Sequence, residues 1–184
     1  MAWNKRRGNT PSSGSPGAPS PSKEEPSAYQ RALGLLVRRE HSRKELGRKL
    51  AAKGLEREDV EPALDVLSRQ DFQNDARFAA AFARSRAAAG YGPGRIRAEL
   101  ATHALSREAI AEAIDACERD WELEARDLAR RRFGGKDLSD PASRRRATDF
   151  LLRRGFDQRM AQAALRALGA SRADADDAVA SDGD

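Results

Sequence analysis

The chain has 184 residues, of which 34% are charged and 5% aromatic, too few large apolar side chains for a β-sandwich or a barrel around one large core. Its 34 lysines and arginines against 29 aspartates and glutamates give a net charge of +5, which permits an acidic partner without requiring one. The single cysteine excludes an internal disulfide, and no apolar run approaches the roughly 18 residues that a membrane-spanning helix needs.

The first 26 residues are rich in serine, proline and glycine and have no apolar period, which predicts a disordered arm. A plain flexible arm is the favoured interpretation, and contact of Trp3 and the basic run 5–7 with a partner is the alternative. No hydrophobic segment follows that basic run, so we expect no signal peptide and assign the chain to the cytoplasm.

The apolar pattern of residues 42–67 returns twice further along the chain without gaps. The matched positions are Leu46, Leu50, Leu55, Val60, Ala63, Leu64 and Leu67, then Ile96, Leu100, Leu105, Ile110, Ala113, Ile114 and Cys117, then Ala147, Leu151, Phe156, Ala161, Ala164, Leu165 and Leu168. Such agreement predicts a threefold internal repeat. Within each copy the apolar spacing follows one face of a helix, so each repeat contains amphipathic helices.

These patterns predict an all-α chain of three tandem three-helix repeats between disordered ends. The boundaries are 1–26 for the disordered N-terminal arm, 27–70, 71–119 and 120–168 for repeats 1, 2 and 3, and 169–184 for a disordered acidic tail. If such repeats stack in a regular superhelix, their equivalent helices line up and form extended surfaces suited to binding.

Several helix ends in the repeats are signalled by single residues. Ser42 with Glu45 three residues on, like Ser27 with Gln30, predicts a capping box at a helix start. In the first repeat, Pro62 predicts that the third helix begins late, near residue 59, or is kinked.

The later repeats carry their own start signals. In the second repeat Gly92 precedes a proline, a favourable first helical residue. In the third repeat Ser143 occupies the matching place, and Asp140 followed by proline is a second candidate for the start of that helix.

The turn between the second and third helices of a repeat carries Gly54 in the first copy and Gly155 in the third. Glycine tolerates the positive φ that ends many helices. Ala104 replaces it in the second copy, so we expect that turn to be made differently.

The second and third helices of the repeats carry opposite charge. The candidate binding residues, named here the basic stripe, are Arg43, Lys44, Arg48, Lys49, Lys53, Arg95, Arg97, Arg144, Arg145, Arg146, Arg153 and Arg154. The third helices carry Glu58, Asp59, Glu61, Asp65, Glu108, Glu112, Asp115 and Glu118. If the second helices line up, the stripe suits a long polyanion. The alternative is that both stripes are solvated, or pair between neighbouring copies.

Stacking on bases has one main candidate, Tyr91, for which packing against helix ends is the alternative. Trp3 and Trp121 are weaker candidates. Because phosphate contacts carry no sequence information, any binding of single- or double-stranded DNA is predicted to be non-specific.

No catalytic constellation is apparent in the chain. His103 matches Lys53 and Arg154 in the other copies, which indicates an exposed basic position rather than a ligand or a base. Cys117 takes an apolar core position, so a buried small residue is favoured over a nucleophile. The glycines of 90–94 lack the preceding strand of a phosphate loop. No zinc cluster occurs, and we expect neither enzymatic activity nor a cofactor.

Three segments of this sequence are similar to the bacterial RecX family, regulators of the RecA recombinase. They are SRKELGRKLAAKGL, NDARFAAAFARSRAAAGYGPGRIRAEL and RRATDFLLRRGFDQRMAQAAL, and the resemblance covers about 27–168. It implies three three-helix repeats in an elongated, curved superhelix and a monomer that binds the RecA nucleoprotein filament. It also implies inhibition of ATP hydrolysis, DNA pairing and strand exchange, and hence modulation of recombination and DNA repair. At Ala104 the family usually has glycine.

Two other functions compete with this one. A helix-turn-helix transcription factor could use the second helix of a repeat for recognition. A scaffold of stacked helices could bind other proteins only, in which case its complexes would be insensitive to salt.

Overall fold

The computed structural model describes residues 25–181, with side chains up to residue 170. Helices alone make up the regular structure of this part. They are α1 Ala28–Leu36, α2 Arg43–Ala51, α3 Arg57–Arg69, α4 Asp75–Ala88, α5 Pro93–Ala101, α6 Arg107–Asp115, α7 Trp121–Phe133, α8 Pro141–Arg154 and α9 Gln158–Ser181. The prediction of an all-α chain of three tandem three-helix repeats is confirmed.

Each repeat has a small core of its own. The closely packed helix pairs join α1 with α2 and α3, α4 with α5 and α6, and α7 with α8 and α9. The matched apolar positions fill these cores: Leu46, Leu50, Ile96, Leu100, Ala147 and Leu151 are all 0% exposed. Each core is formed within one repeat, except that Trp121 of α7 packs against the cores of both repeat 2 and repeat 3. The relation between repeats is therefore set by this side chain and by a few contacts at two junctions.

The predicted capping boxes differ in outcome. At α1 the box is complete, because Ser27 accepts from the backbone of Gln30 and the Gln30 side chain accepts from the backbone of Ser27. At α2 the Ser42 hydroxyl accepts from the Glu45 backbone at 3.1 Å, but the Glu45 carboxylate turns away to Arg39. The second half of that predicted box is therefore wrong.

The predicted starts of α5, α8 and α3 also differ in outcome. Gly92 caps α5, and a proline follows it as predicted. In the third repeat Asp140 is the cap and Ser143 lies inside α8, so Ser143 as a helix start is wrong. The late start predicted for α3 is wrong too, because α3 begins at Arg57 and includes Pro62, at the loss of one backbone hydrogen bond.

The turn between the second and third helices is made the same way in all three repeats. Gly54 has φ +80°, Gly155 has φ +94°, and Ala104 adopts φ +61°. The expectation of a different turn at Ala104 is wrong, because the alanine accepts the left-handed conformation that glycine adopts without strain.

We predict that Ala104→Gly stabilises the protein. Removing the side chain relieves a left-handed alanine, which costs roughly 1–2 kcal/mol, and part of that gain is offset by the freer unfolded chain. The free energy of unfolding in urea should rise, whereas Gly54→Ala should lower it. A drop in stability on Ala104→Gly would show that the alanine methyl contributes packing that the geometry does not reveal.

The two ends of the chain are predicted to be disordered, and the structure describes only part of them. The arm predicted to be disordered lies outside the described residues, except for 25 and 26. The predicted tail begins at Gly169, whereas α9 continues to Ser181, so prediction and structure differ there. Alanine is frequent in this segment, and it is the strongest helix former.

Candidate functional site

The junction between repeats 2 and 3 joins the end of α8 to the start of α5. The backbone N–H of Gly92 donates to the Arg154 carbonyl at 2.8 Å, and that of Gly94 donates to the Gly155 carbonyl at 3.0 Å. The first N–H groups of a helix have no partner within it, so α8 satisfies donors that α5 itself leaves free. The two backbones touch, since a Cβ at Gly155 would lie 2.3 Å from the Arg95 nitrogen.

The junction between repeats 1 and 2 has the same layout with different chemistry. The Ser42 hydroxyl, at the start of α2, lies 2.8 Å from His103 Nδ1, in the turn after α5. Lys44 Nζ donates to the Thr102 carbonyl at 2.8 Å. At both junctions, therefore, the turn that ends the second helix of one repeat meets the start of the second helix of the repeat before it.

Two carboxylates, those of Asp75 and Glu40, make further contacts at this first junction. Asp75 Oδ1, at the start of α4, accepts from the Arg43 backbone N–H at 2.9 Å. Arg77 Nε donates to Glu40 Oε1 at 2.8 Å. Hydrogen bonds that involve side chains thus connect this junction, whereas backbone hydrogen bonds between the turn after α8 and the start of α5 connect the other.

The end-to-start order brings stripe residues of different repeats together. A groove of about 610 Å³ at the second junction is lined by Arg95 and Arg97 of α5, by Arg153 of α8 and by one carboxylate, that of Asp157. The side chains of Arg97 and Arg153 are exposed and have no ion pair among the described residues. We call this site the arginine groove.

A second cleft, of about 570 Å³, lies at the first junction. Its stripe residue is Arg48, and Arg39 and Arg86 add two cations that the sequence did not single out. Phe78, Phe82 and His103 supply an aromatic wall, with Phe78 and His103 ring centroids 4.7 Å apart. Glu40 and Glu45 also line the cleft, Arg39 is paired with Glu45 and Arg86 with Glu99, and Phe78 is buried. Arg48 and the Phe82 ring are the groups that remain for contact with a nucleic acid backbone or base.

Several stripe residues already have acidic partners. Arg43 Nη2 lies 2.6 Å from Glu61 and 2.8 Å from Asp65, both on the acidic third helix of the same repeat. Arg95 Nε lies 2.7 Å from Glu99 on its own helix. The alternative in which the two stripes pair is thus realised for Arg43, but within one repeat rather than between copies.

The remaining residues of the basic stripe differ in ion pairing and in the cleft that they face. Arg48, Lys53, Arg97, Arg144, Arg145 and Arg153 are exposed, and none forms an ion pair in the described part of the chain. Arg146 lies 3.9 Å from Asp140, and Lys49 lies 3.3 Å from Glu45. Arg144 faces a separate cleft beside α9, together with Arg166, so the structure does not bring it to the arginine groove.

Arg154 and Tyr91 contact each other across the second junction. The Arg154 guanidinium carbon lies 5.0 Å from the Tyr91 ring centroid and 5.3 Å from that of Phe150, and Arg154 Nη1 donates to the Ala89 carbonyl at 3.2 Å. Arg86 covers the same tyrosine at 5.6 Å. These contacts fit the packing alternative for Tyr91, and its stacking on a base stays a prediction.

His103 is not the exposed basic position that the sequence indicated. It is half-buried, bonded to Ser42, and its pKa is lowered, chiefly because burial disfavours the charged ring. The prediction failed because Ser42 belongs to the preceding repeat, and comparison of matched positions does not show contacts between repeats.

Glu45, at the first junction, has three basic side chains as partners, those of Arg39, His41 and Lys49. Its side chain is 8% exposed and lies 2.6 Å from Arg39 Nη2 and 3.0 Å from His41 Nδ1. Burial acts to raise its pKa, but hydrogen bonds from Arg39 and His41 overcome that effect and lower the pKa to about 2. The sequence pointed to Glu45 only as a capping residue.

We predict that acid weakens the first junction. Burial lowers the pKa values of His41 and His103 below 6.5, so their stabilising contribution is complete above that pH and is lost as the pH falls through the folded-state values. The free energy of unfolding should decrease between about pH 7.5 and about pH 5. His103→Asn, which keeps a side-chain nitrogen near Ser42 without titrating, should reduce the slope. An unchanged slope would exclude His103 as a source.

The described residues contain no group of side chains suited to hold a metal ion. Burial raises the pKa of the Cys117 thiol, which disfavours the nucleophilic thiolate. No helix in the described part has the length and apolar character to cross a membrane. The feature of the described surface that suits binding of a partner is the set of arginines at the two junctions between repeats.

Three family models match the chain in order along the repeats. They describe the first, second and third three-helix domains of RecX and match residues 28–67, 74–114 and 122–165.

The chain also resembles curated proteins and a solved structure. "Regulatory protein RecX" of Xanthomonas axonopodis pv. citri (strain 306) is 55% identical over 143 residues, covering 78% of this chain and 88% of that protein. The protein of the same name from Stenotrophomonas maltophilia (strain R551-3) is 58% identical over 133 residues, covering 72% and 82%. A crystal structure of RecX from Lactobacillus salivarius shares the fold, with a TM-score of 0.64 at 20% identity, covering 77% and 94%.

Proposed function

The chain belongs to the RecX family of regulatory proteins, and from this we propose that it binds the RecA nucleoprotein filament and inhibits its ATP hydrolysis, DNA pairing and strand exchange. It would thereby modulate recombination and DNA repair. The observation that supports the proposal most is the arginine groove, where Arg97 and Arg153 come from different repeats to line one surface.

The groove suits a filament because a filament repeats its anionic groups along an axis. Arg97 and Arg153 have no ion pair to break within residues 25–170, so DNA phosphates or acidic side chains can take them as partners at little cost. The cleft at the first junction, with Arg48 and Phe82, offers a second contact. A chain that touches the filament at both junctions would bridge adjacent recombinase subunits and fill space that an incoming duplex needs.

Co-sedimentation with a recombinase filament on single-stranded DNA tests this proposal. The protein should pellet with the filament, and its affinity should fall with salt, with a log–log slope of about 0.9 per phosphate neutralised. A protein that stays in the supernatant at low salt would contradict filament binding. A salt-insensitive complex would favour the scaffold that binds only proteins.

The transcription-factor alternative conflicts with the junctions. A recognition helix reads bases with residues near its start, but the starts of α2 and α5 are covered by the turns at His103 and Gly155. The start of α8 is not covered by a turn of the described residues, but it presents the carboxylate of Asp140, which disfavours close approach to DNA phosphates. We therefore propose non-specific contact with single- or double-stranded DNA. A gel-shift competition in which one duplex sequence outcompetes bulk DNA would support the transcription factor instead.

The same proposal includes a monomer that acts in the cytoplasm without a cofactor. Analytical ultracentrifugation of the free protein would test its oligomeric state.

A further inference from the structure

The two junctions have the same layout, in which a turn contacts the start of a helix. The first repeat has a matching turn, but no helix start lies against it among the described residues. The turn after α5 contacts the start of α2, and the turn after α8 contacts the start of α5. The turn after α2, Lys53–Gly54, matches both of these turns. No repeat precedes it in the described part of the chain, so the surface that the other two turns use for docking is left over.

The space beside this turn is open, whereas the neighbouring repeat fills the space beside the turn at Gly155. A Cβ added at Gly54 would meet nothing within 4 Å, whereas one at Gly155 would lie 2.3 Å from Arg95. The backbone carbonyls of Arg154 and Gly155 accept hydrogen bonds across their junction. Those of Lys53 and Gly54 accept none from the described residues, and the Lys53 side chain is exposed.

A second copy of this chain does not fit the open turn. The starts of α2 and α5, at Ser42 and Gly92, are already occupied by their own neighbours. In repeat 3 the matching Ser143 lies inside α8, whose additional first turn is capped by Asp140. The start of α8 is the one that no turn covers among the described residues, but Asp140 already accepts from its first N–H groups. Another copy would therefore offer a helix start whose donors are satisfied and whose carboxylate faces the negative end of α2.

We propose that the Lys53–Gly54 turn is a docking surface for the start of a helix in a partner protein. Its free carbonyls lie at the negative end of α2, and a helix start presents N–H donors at its positive end. The two internal precedents have Ser42 and Gly92 as the N-cap, so the partner helix begins with a small residue. The identity of the partner, a recombinase subunit within the filament, rests on the proposed function.

Gly54→Asn tests this contact with little disturbance of the fold. Asparagine tolerates the left-handed conformation better than other non-glycine residues, and its side chain would enter the open space that the partner helix needs. We expect filament affinity in co-sedimentation to fall about tenfold, with the helicity and affinity for free single-stranded DNA unchanged. Gly135→Asn, at another exposed glycine with open surroundings but without a positive φ, is the control for an added surface side chain and should bind as the unmodified protein does.

Three results would overturn the proposal. Filament affinity equal to that of the control would show that the turn is not in contact. An equal loss of affinity for free single-stranded DNA would show that the turn contacts phosphate rather than protein. An unfolding midpoint of the free Gly54→Asn protein below that of Gly54→Ala, which carries the positive-φ strain without the longer side chain, would place a segment of this chain on the turn. Absence of filament binding by the unmodified protein would contradict the proposed function itself and leave this contact without its partner.

Discussion

Gly155→Ala should destabilise the protein by about 3 kcal/mol and disrupt the junction between repeats 2 and 3. Alanine at φ +94° is strained by roughly 1–2 kcal/mol. Its Cβ would also lie 2.3 Å from the Arg95 nitrogen, an overlap that typically costs about 1–3 kcal/mol to relieve. Urea unfolding gives the loss of stability, and co-sedimentation should show weaker filament binding, because Arg153 and Arg97 would no longer line one groove.

Gly135→Ala is the control for an added methyl group, since Gly135 has no positive φ and a Cβ there meets nothing within 4 Å. Its stability and filament binding should stay close to those of the unmodified protein. If Gly155→Ala unfolds at the same urea concentration as the control, the two backbones do not touch as described.

Reversing the two arginines of the arginine groove that form no ion pair among the described residues, with Arg97→Glu and Arg153→Glu together, should weaken filament binding on the order of a hundredfold. Each reversal replaces an attraction by a repulsion, and a total change of about 2.8 kcal/mol corresponds to that factor. Neither side chain is part of a core, so helicity and the unfolding midpoint should be preserved. Co-sedimentation over a range of salt concentrations measures the change, and the salt slope should also decrease.

The control for this pair changes net charge by the same amount elsewhere. Arg84 and Arg107 are exposed, lie on α4 and α6 and do not line the arginine groove. If Arg84→Glu with Arg107→Glu weakens binding as much as the groove pair does, the effect belongs to overall charge and not to the groove.

The interior of each repeat was predictable because it depends on periodicity alone. Leu50, Leu100 and Leu151 are completely buried at the positions that the internal repeat marks, since a helix buries the same face whenever its apolar spacing returns. Ala104 shows the limit of such reasoning. A residue type predicts its preferred conformation, but the matched turn in each repeat imposes a left-handed one.

The candidate site was predictable in composition but not in geometry. The sequence identifies Arg43 and Arg97 alike as exposed cations, whereas Arg43 is held by Glu61 and Asp65 and Arg97 lines a groove. Which cations stay unpaired depends on which helix faces which, and that is fixed by tertiary packing. His103 was misjudged for the same reason, because its partner Ser42 lies one repeat away.

The most direct measurement is the rate of ATP hydrolysis by a recombinase filament on single-stranded DNA, titrated with the unmodified protein and with the Arg97→Glu, Arg153→Glu variant. We expect the unmodified protein to suppress hydrolysis and the folded variant to leave it unchanged at the same concentrations. Equal suppression by both proteins, or none by the unmodified one, would contradict the claim that cations gathered at the repeat junctions act on the filament.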